Sequence, residues 1–182
     1  MLTEISPEQD VPAVPPFLLR GLARGIDIGV QLAVMEAAFQ CSRYLPEGGL
    51  VQIGEGALFY VDLGVGLGAL LMYTSLAEWL GGATLGKYLC GLRVVRADGS
   101  GAIGIREALI RGAAFFVDGL LLGLIAYSAV MRSTRGQRLG DQWAGTVVVW
   151  RGDAPGINGL IGWPVGAVAA FGMVVGSYLF AS

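Results

Sequence analysis

The sequence predicts an all-α membrane protein: three spanning helices, a re-entrant or interfacial helical hairpin, and a small two-stranded β-hairpin on the cytoplasmic side. Three observations lead there. Of the 182 residues, 54% are hydrophobic and only 14% are charged, whereas a soluble domain keeps roughly a quarter of its residues charged. Too little polar surface is left to cover a globule, and the mean hydropathy is +0.65. Four long apolar stretches, at 17–41, 57–80, 103–131 and 160–181, approach or exceed the ~20 residues a spanning helix needs. Two short β-branched runs between them, GLRVVRADG at 91–99 and GTVVVWRGD at 145–153, read as strands bounded by turn residues.

The N-terminal segment 1–16 is acidic and proline-rich, without the basic start and short apolar core of a signal peptide, so it reads as a cytoplasmic tail. Pro12, Pro15 and Pro16 then precede the first helix. The second stretch is the cleanest span, since its centre, 63–76, carries no charge. An isolated strand is unstable, and the two β-branched runs are natural partners for each other. Pairing them places both on one side of the membrane. The third stretch must therefore leave and return on that side, and it is too short for two crossings, which need ~40 residues. A helical hairpin broken near Asp118-Gly119 satisfies both demands, because non-helical backbone is tolerated at membrane depth where protein or water surrounds it. The arrangement also keeps Arg20, Arg24, Lys87, Arg93, Arg96, Arg106, Arg132, Arg135, Arg138 and Arg151 inside, with Arg43 outside beside Glu47 and Glu55. The fourth stretch carries no charge and ends outside.

Charge marks the candidate site. Arg20, Arg24, Asp27 and Gln31 recur at spacings of 4, 3 and 4, which puts them on one face of the first helix. Asp27 lies about 10 Å along the axis from Arg20 at 1.5 Å per residue, a depth at which a charge costs about 2.5–3.5 kcal/mol. It must face protein or water. Either it serves an ion or proton, or Arg24 and Asp27 form a buried structural clasp. Glu36 lies off that face. In the third stretch Arg111 and Asp118 share a face, and Glu107 precedes Arg111 by one helical turn in the orientation that favours an ion pair. A cluster of Arg24, Asp27, Arg111 and Asp118 would nearly neutralise itself; the alternative is that these are interfacial charges where the hairpin enters.

Glycine supplies 30 residues, and its four-residue spacings permit close helix contact in membranes. Gly21, Gly25 and Gly29 form one such series, Gly64 and Gly68 a second, and Gly162, Gly166, Gly172 and Gly176 a third. Other chemistries are excluded by what is missing. GGATLGK at 81–87 lacks the Ser or Thr after its lysine that a phosphate-binding loop uses for magnesium, with Tyr88 there instead. GVGLG at 64–68 lies inside a spanning helix rather than after a strand. No nucleotide is expected. A net charge of −2 gives no basic field for nucleic acid. With no histidine, the commonest metal ligand and the usual base are absent, and Cys41 and Cys90 form neither a disulfide framework nor a metal pair. The sequence thus predicts no enzyme, no cofactor and no metal site.

LLRGLARGIDIGV at 18–30, GATLGKYLCGLRVVRADG at 82–99 and QRLGDQWAGTVVV at 137–149 occur in the order of, and together resemble, the RDD family of prokaryotic membrane proteins. The resemblance covers 18–150, so 17–151 reads as the family's membrane domain and 152–182 as an added C-terminal helix. It implies an inner-membrane location and three motif residues. The family's arginine matches Arg24 and its first aspartate Asp27. The second falls on Asp141, with Asp118 as the competitor and Arg138 nearby in the same motif. Tyr88 departs from the larger polar or basic residue often found there, which weakens an interfacial contact. Transport, and for some members cation/proton antiport, is what the family has been proposed to do.

Two functions follow. One is a non-catalytic accessory or structural subunit of a membrane complex, which docks on membrane-protein partners or on itself through glycine-rich helices; the last helix favours it. The other is an oligomeric carrier of a cation or small solute, proton-coupled through Asp27. The helices are few for a carrier working alone.

Overall fold

The structure, a computed structural model, describes residues 14–42, 55–119, 124–153 and 159–181. The expected N-terminal tail up to residue 13, the segment with Arg43 and Glu47, and the side chains of Cys41, Glu55 and Asp118 lie outside the described residues.

Helix α1 (Phe17–Ser42) begins directly after the Pro15-Pro16 pair, its first turn closed by the Arg20 N–H on the Pro16 carbonyl at 3.3 Å. Helix α2 (Glu55–Gly81) follows; its apolar residues are spread round the axis, as they are in α7 (Gly159–Ala181). Two segments, Leu63–Gly81 and Leu160–Leu179, are long and apolar enough to cross a membrane. They pack along each other with Ala69, Tyr73, Ala170 and Val174 buried between them. Glycine makes that approach close. A Cβ on Gly166 would stand 2.6 Å from the Tyr73 carbonyl oxygen, and one on Gly162 the same distance from the Gly81 nitrogen. Gly68 faces Met173 of α7. Gly21, Gly25, Gly29, Gly64, Gly172 and Gly176 instead face open space.

After α2 the chain turns through Gly82 into a one-turn helix α3 (Leu85–Leu89) and then β1 (Leu92–Arg96). The third apolar stretch contributes α4 (Ile105–Gly119), which continues through the Asp118-Gly119 where a break was expected, and α5 (Leu124–Arg132); residues 120–123 between them lie outside the described residues. A second one-turn helix, α6 (Leu139–Trp143), leads into β2 (Thr146–Trp150). The two strands pair antiparallel, as their composition predicts, with Val94 opposite Val148 at the centre. The inner face of this ribbon, Leu92, Val94 and Val148, packs on Ala23 of α1, on Ile103 in the loop before α4 and on Ala108 in its first turn. A two-stranded sheet is unstable alone; here one face is buried by the helices whose charged ends it also holds in place.

Candidate functional site

The charged residues converge where α1, the end of α2, α3, α4 and α6 meet above the sheet. Asp27, 1% exposed, points from α1 at the first turn of α3. Thr84 Oγ donates to its Oδ2 at 2.6 Å, the Gly86 N–H to its Oδ1 at 2.8 Å, and the Tyr73 hydroxyl to Oδ1 at 3.2 Å. Tyr73 in turn accepts the Leu85 N–H at 3.2 Å. This carboxylate therefore caps α3 from another helix, supplying acceptors for N–H groups that a helix start leaves orphaned. Gly86 makes the approach feasible, since a Cβ there would collide with the Ala23 carbonyl.

The spacing argument expected Arg24 to clasp Asp27. Instead the Arg24 guanidinium lies over the Phe115 ring of α4, 3.7 Å from its centroid, and three neutral donors take the carboxylate. Glu107 likewise does not pair with Arg111. It reaches Arg96 of β1 at 2.9 Å, because the loop before α4 lies beside the strand and brings that partner nearer than the next helical turn.

Arg111, 1% exposed, is the hub. Its Nε donates to Glu78 Oε2 at 2.7 Å and its Nη1 to Thr146 Oγ at 2.7 Å and to Asp141 Oδ1. Lys87 Nζ takes the other oxygen of Glu78. Asp141 is completely buried; its Oδ2 accepts the Arg138 N–H at 3.1 Å, and Arg138 Nε stands 3.6 Å from its Oδ1. Burial by itself would raise the Asp141 carboxyl, but Arg111 and then Arg138 outweigh it and hold the group below the usual carboxylate value. Burial pushes the Lys87 ammonium below its usual value, against the pull of Glu78. Arg20 donates to the carbonyls of Gly136 and, at 3.4 Å, Val148. Of the residues singled out by sequence, Arg24, Asp27, Arg111, Arg138 and Asp141 all line one cavity of about 190 Å³. Glu78, Lys87, Thr84 and Tyr73 complete the arrangement and were missed.

For Lys87 a signal was present. GATLGKYLCG at 82–91 and GQRLGDQWAG at 136–145 share Gly-x-x-Leu-Gly followed by Gly at the same place. The structure repeats with the sequence. Gly82 and Gly136 both have positive φ, +69° and +60°, as do Gly91 and Gly145, +68° and +62°. Thr84 and Arg138, at the start of the two short helices, are equally extended, with ψ of 169° and 172°. Val94 and Val148 are counterparts under this repeat and sit opposite each other in the ribbon. The element order thus repeats as two α–α–α–β units, α1–α2–α3–β1 and α4–α5–α6–β2, whose strands meet at that pair. The Leu-x-Arg-Gly run that carries Arg24 also recurs, as Leu109-Ile110-Arg111-Gly112.

The RDD family model matches residues 14–145, most of the chain and all of the charged residues of this site, and the chain belongs to that family. No curated protein matches it and no solved structure does. Helix α7 lies beyond the matched region.

Proposed function

We propose that this RDD-family protein is a non-catalytic membrane protein that holds a small anionic group in the cavity between its two units. The carrying observation is the charge of the lining: Arg20, Arg24, Lys87, Arg111 and Arg138 against Asp27, Glu78 and Asp141, five basic groups to three acidic ones. The carboxylates are engaged by internal partners, while Nε and Nη2 of Arg24 and Nη2 of the deeply buried Arg111 have no hydrogen-bond partner among the described residues. Buried N–H groups of that kind seek an acceptor, and a guanidinium suits carboxylate or phosphate oxygens. The same geometry argues against Asp27 as an exchanging cation or proton site, because releasing its three hydrogen bonds would uncap α3.

The test is thermal unfolding of the purified protein against inorganic phosphate, with chloride at matched ionic strength as control. A saturable rise in midpoint that Arg24→Gln removes supports the reading. Equal response to phosphate and chloride would sink it.

The proposed placement is in the prokaryotic inner membrane with α1, α2 and α7 crossing and the sheet on the cytoplasmic side. Helices α4 and α5 have 15 and 9 residues, so at 1.5 Å per residue neither spans a ~30 Å hydrocarbon core. In a cysteine-free background, single cysteines at Ser100 and Ser133 should both escape an impermeant thiol reagent applied outside; labelling of only one would remove the hairpin. An accessory-subunit role is compatible with this site, and Gly172 and Gly176 keep open space where a partner helix could approach. Extraction at natural abundance separates the readings: stoichiometric companions make the chain a subunit, and recovery alone favours a carrier.

A further inference from the structure

The charged cavity does not end at Arg24 and Phe115. These two residues also line a second, apolar cavity of about 300 Å³, bounded by Ile28, Leu32 and Met35 of α1 and by Leu63, Leu67 and Leu70 of α2. The first cavity is rich in unspent positive charge, and the second has almost no polar surface. They meet where the Arg24 guanidinium covers the Phe115 ring. The apolar part runs beside Leu63–Gly81, one of the two segments long and apolar enough to cross a membrane, and therefore points into the hydrocarbon. A free phosphate would use only the first cavity and leave the second without purpose.

From this continuity we infer that the occupant is an anionic membrane lipid, its phosphate held by Arg24 and Arg111 and an acyl chain lying in the groove between α1 and α2. The inference rests on the anion-binding reading and sharpens it. The size agrees: about 190 Å³ is below the ~300–1,000 Å³ of pockets that enclose whole drug-sized ligands, so the charged part takes a headgroup phosphate and little more. The charge agrees as well. An excess of two positive charges in the lining matches a phosphate monoester or diester and disfavours a zwitterionic head, whose ammonium would meet the same arginines. The apolar side walls, Leu63, Leu67 and Leu32, are 40–62% exposed in the chain alone, so a chain can enter sideways from the bilayer without a gate.

The experiment reconstitutes the full chain into bilayers of equal phosphatidylcholine and phosphatidylglycerol, then releases it for native mass spectrometry with its retained lipid. Retained phosphatidylglycerol should exceed phosphatidylcholine at least fivefold. Arg24→Gln should bring the ratio to within twofold of unity, and Arg24→Lys should restore part of it. Leu67→Trp, at an exposed position in the groove, should also lose the retained lipid. It should keep the phosphate-induced rise in unfolding midpoint, because the headgroup site is untouched. Phosphate stabilisation without lipid enrichment would overturn the lipid inference and leave a free-anion site. Absence of both effects would overturn the anion-binding reading itself. Enrichment that survives Leu67→Trp would place the lipid elsewhere on the surface and equally overturn the assignment.

Discussion

The two units begin with the same problem and solve it differently. Each brings a one-turn helix against a longer one and must satisfy the orphaned N–H groups at its start. In the first, the acceptor is Asp27, sent across from α1 and bound by neutral donors. In the second it is Asp141, carried by the short helix itself, and the residue sent across from the long helix is a cation, Arg111. A carboxylate held by neutral donors needs no counter-charge. A carboxylate paired with a buried guanidinium commits the fold to complete compensation, which is why Glu78 and Lys87 are drawn in. The lengths differ in parallel: 26 and 27 residues in α1 and α2, 15 and 9 in α4 and α5. The long unit holds a segment apolar enough to cross a membrane; the short one carries Arg111, the centre of the ionic hub.

The largest break in this comparison should come from Arg111. Arg111→Met leaves Glu78 and Asp141 buried and short of a partner, a loss of about 3–5 kcal/mol. Arg24→Gln removes a stacked cation with no ion-pair partner in contact and should cost only about 1 kcal/mol. Unfolding in a mild detergent measures both, and equal losses would mean that Arg24 is as tightly tied into the fold as the ionic hub. Next in size are the counterpart glycines. Gly86→Ala drives a Cβ into the Ala23 backbone and should cost about 3 kcal/mol, the upper end for overpacking. Gly140→Ala meets the Ala114 Cβ at 2.9 Å and the Arg111 carbonyl at 3.4 Å, a milder overlap that the backbone of α4 must still yield to, and should cost about 2 kcal/mol. The reverse order would show that the second unit is packed more tightly than the first.

The smallest effect is in pH. Asp141 titrates below its unfolded value, about 3.9 for a free aspartate, because Arg111 and Arg138 overcome its burial. Its contribution is therefore complete above that value and is lost as pH falls through the lower, folded one. The unfolding midpoint should be level from pH 8 to 5 and drop below about pH 4. Asp141→Asn should start lower and fall less. A steep change between pH 6 and 8 would point to a different titrating group.

The sequence made some of this legible. Pairing of the two β-branched runs follows from Val94-Val95 and Val147 to Val149 having no other strand to join in the sequence. That Asp27 must be covered could be read from its depth in α1. What covers it could not, because helical spacing names neighbours on one helix, whereas Thr84, Tyr73 and Gly86 arrive from elsewhere in the chain. The same reason defeated the Arg24–Asp27 and Glu107–Arg111 pairings. Glu78 was hidden by its place near the end of an apolar helix, where a carboxylate is ordinarily at the water interface. Lys87 was set aside with a failed nucleotide motif, although the repeat of that motif around Asp141 was the signal that tied it to the site.

The glycine contact of α7 on α2 also decides how the molecule comes apart. Backbone held against backbone by Gly162 and Gly166 contains no charge, so neither salt nor acid has a handle on it; its strength is that of dispersion between surfaces that hydrocarbon tails wet equally well. Short-chain detergents, or a bilayer too thin for the pair, should therefore loosen α7 while the sheet end stays intact, and acid should do the opposite. One protein of this size then has two independent points of failure, one set by the lipid it sits in and one by the water it faces.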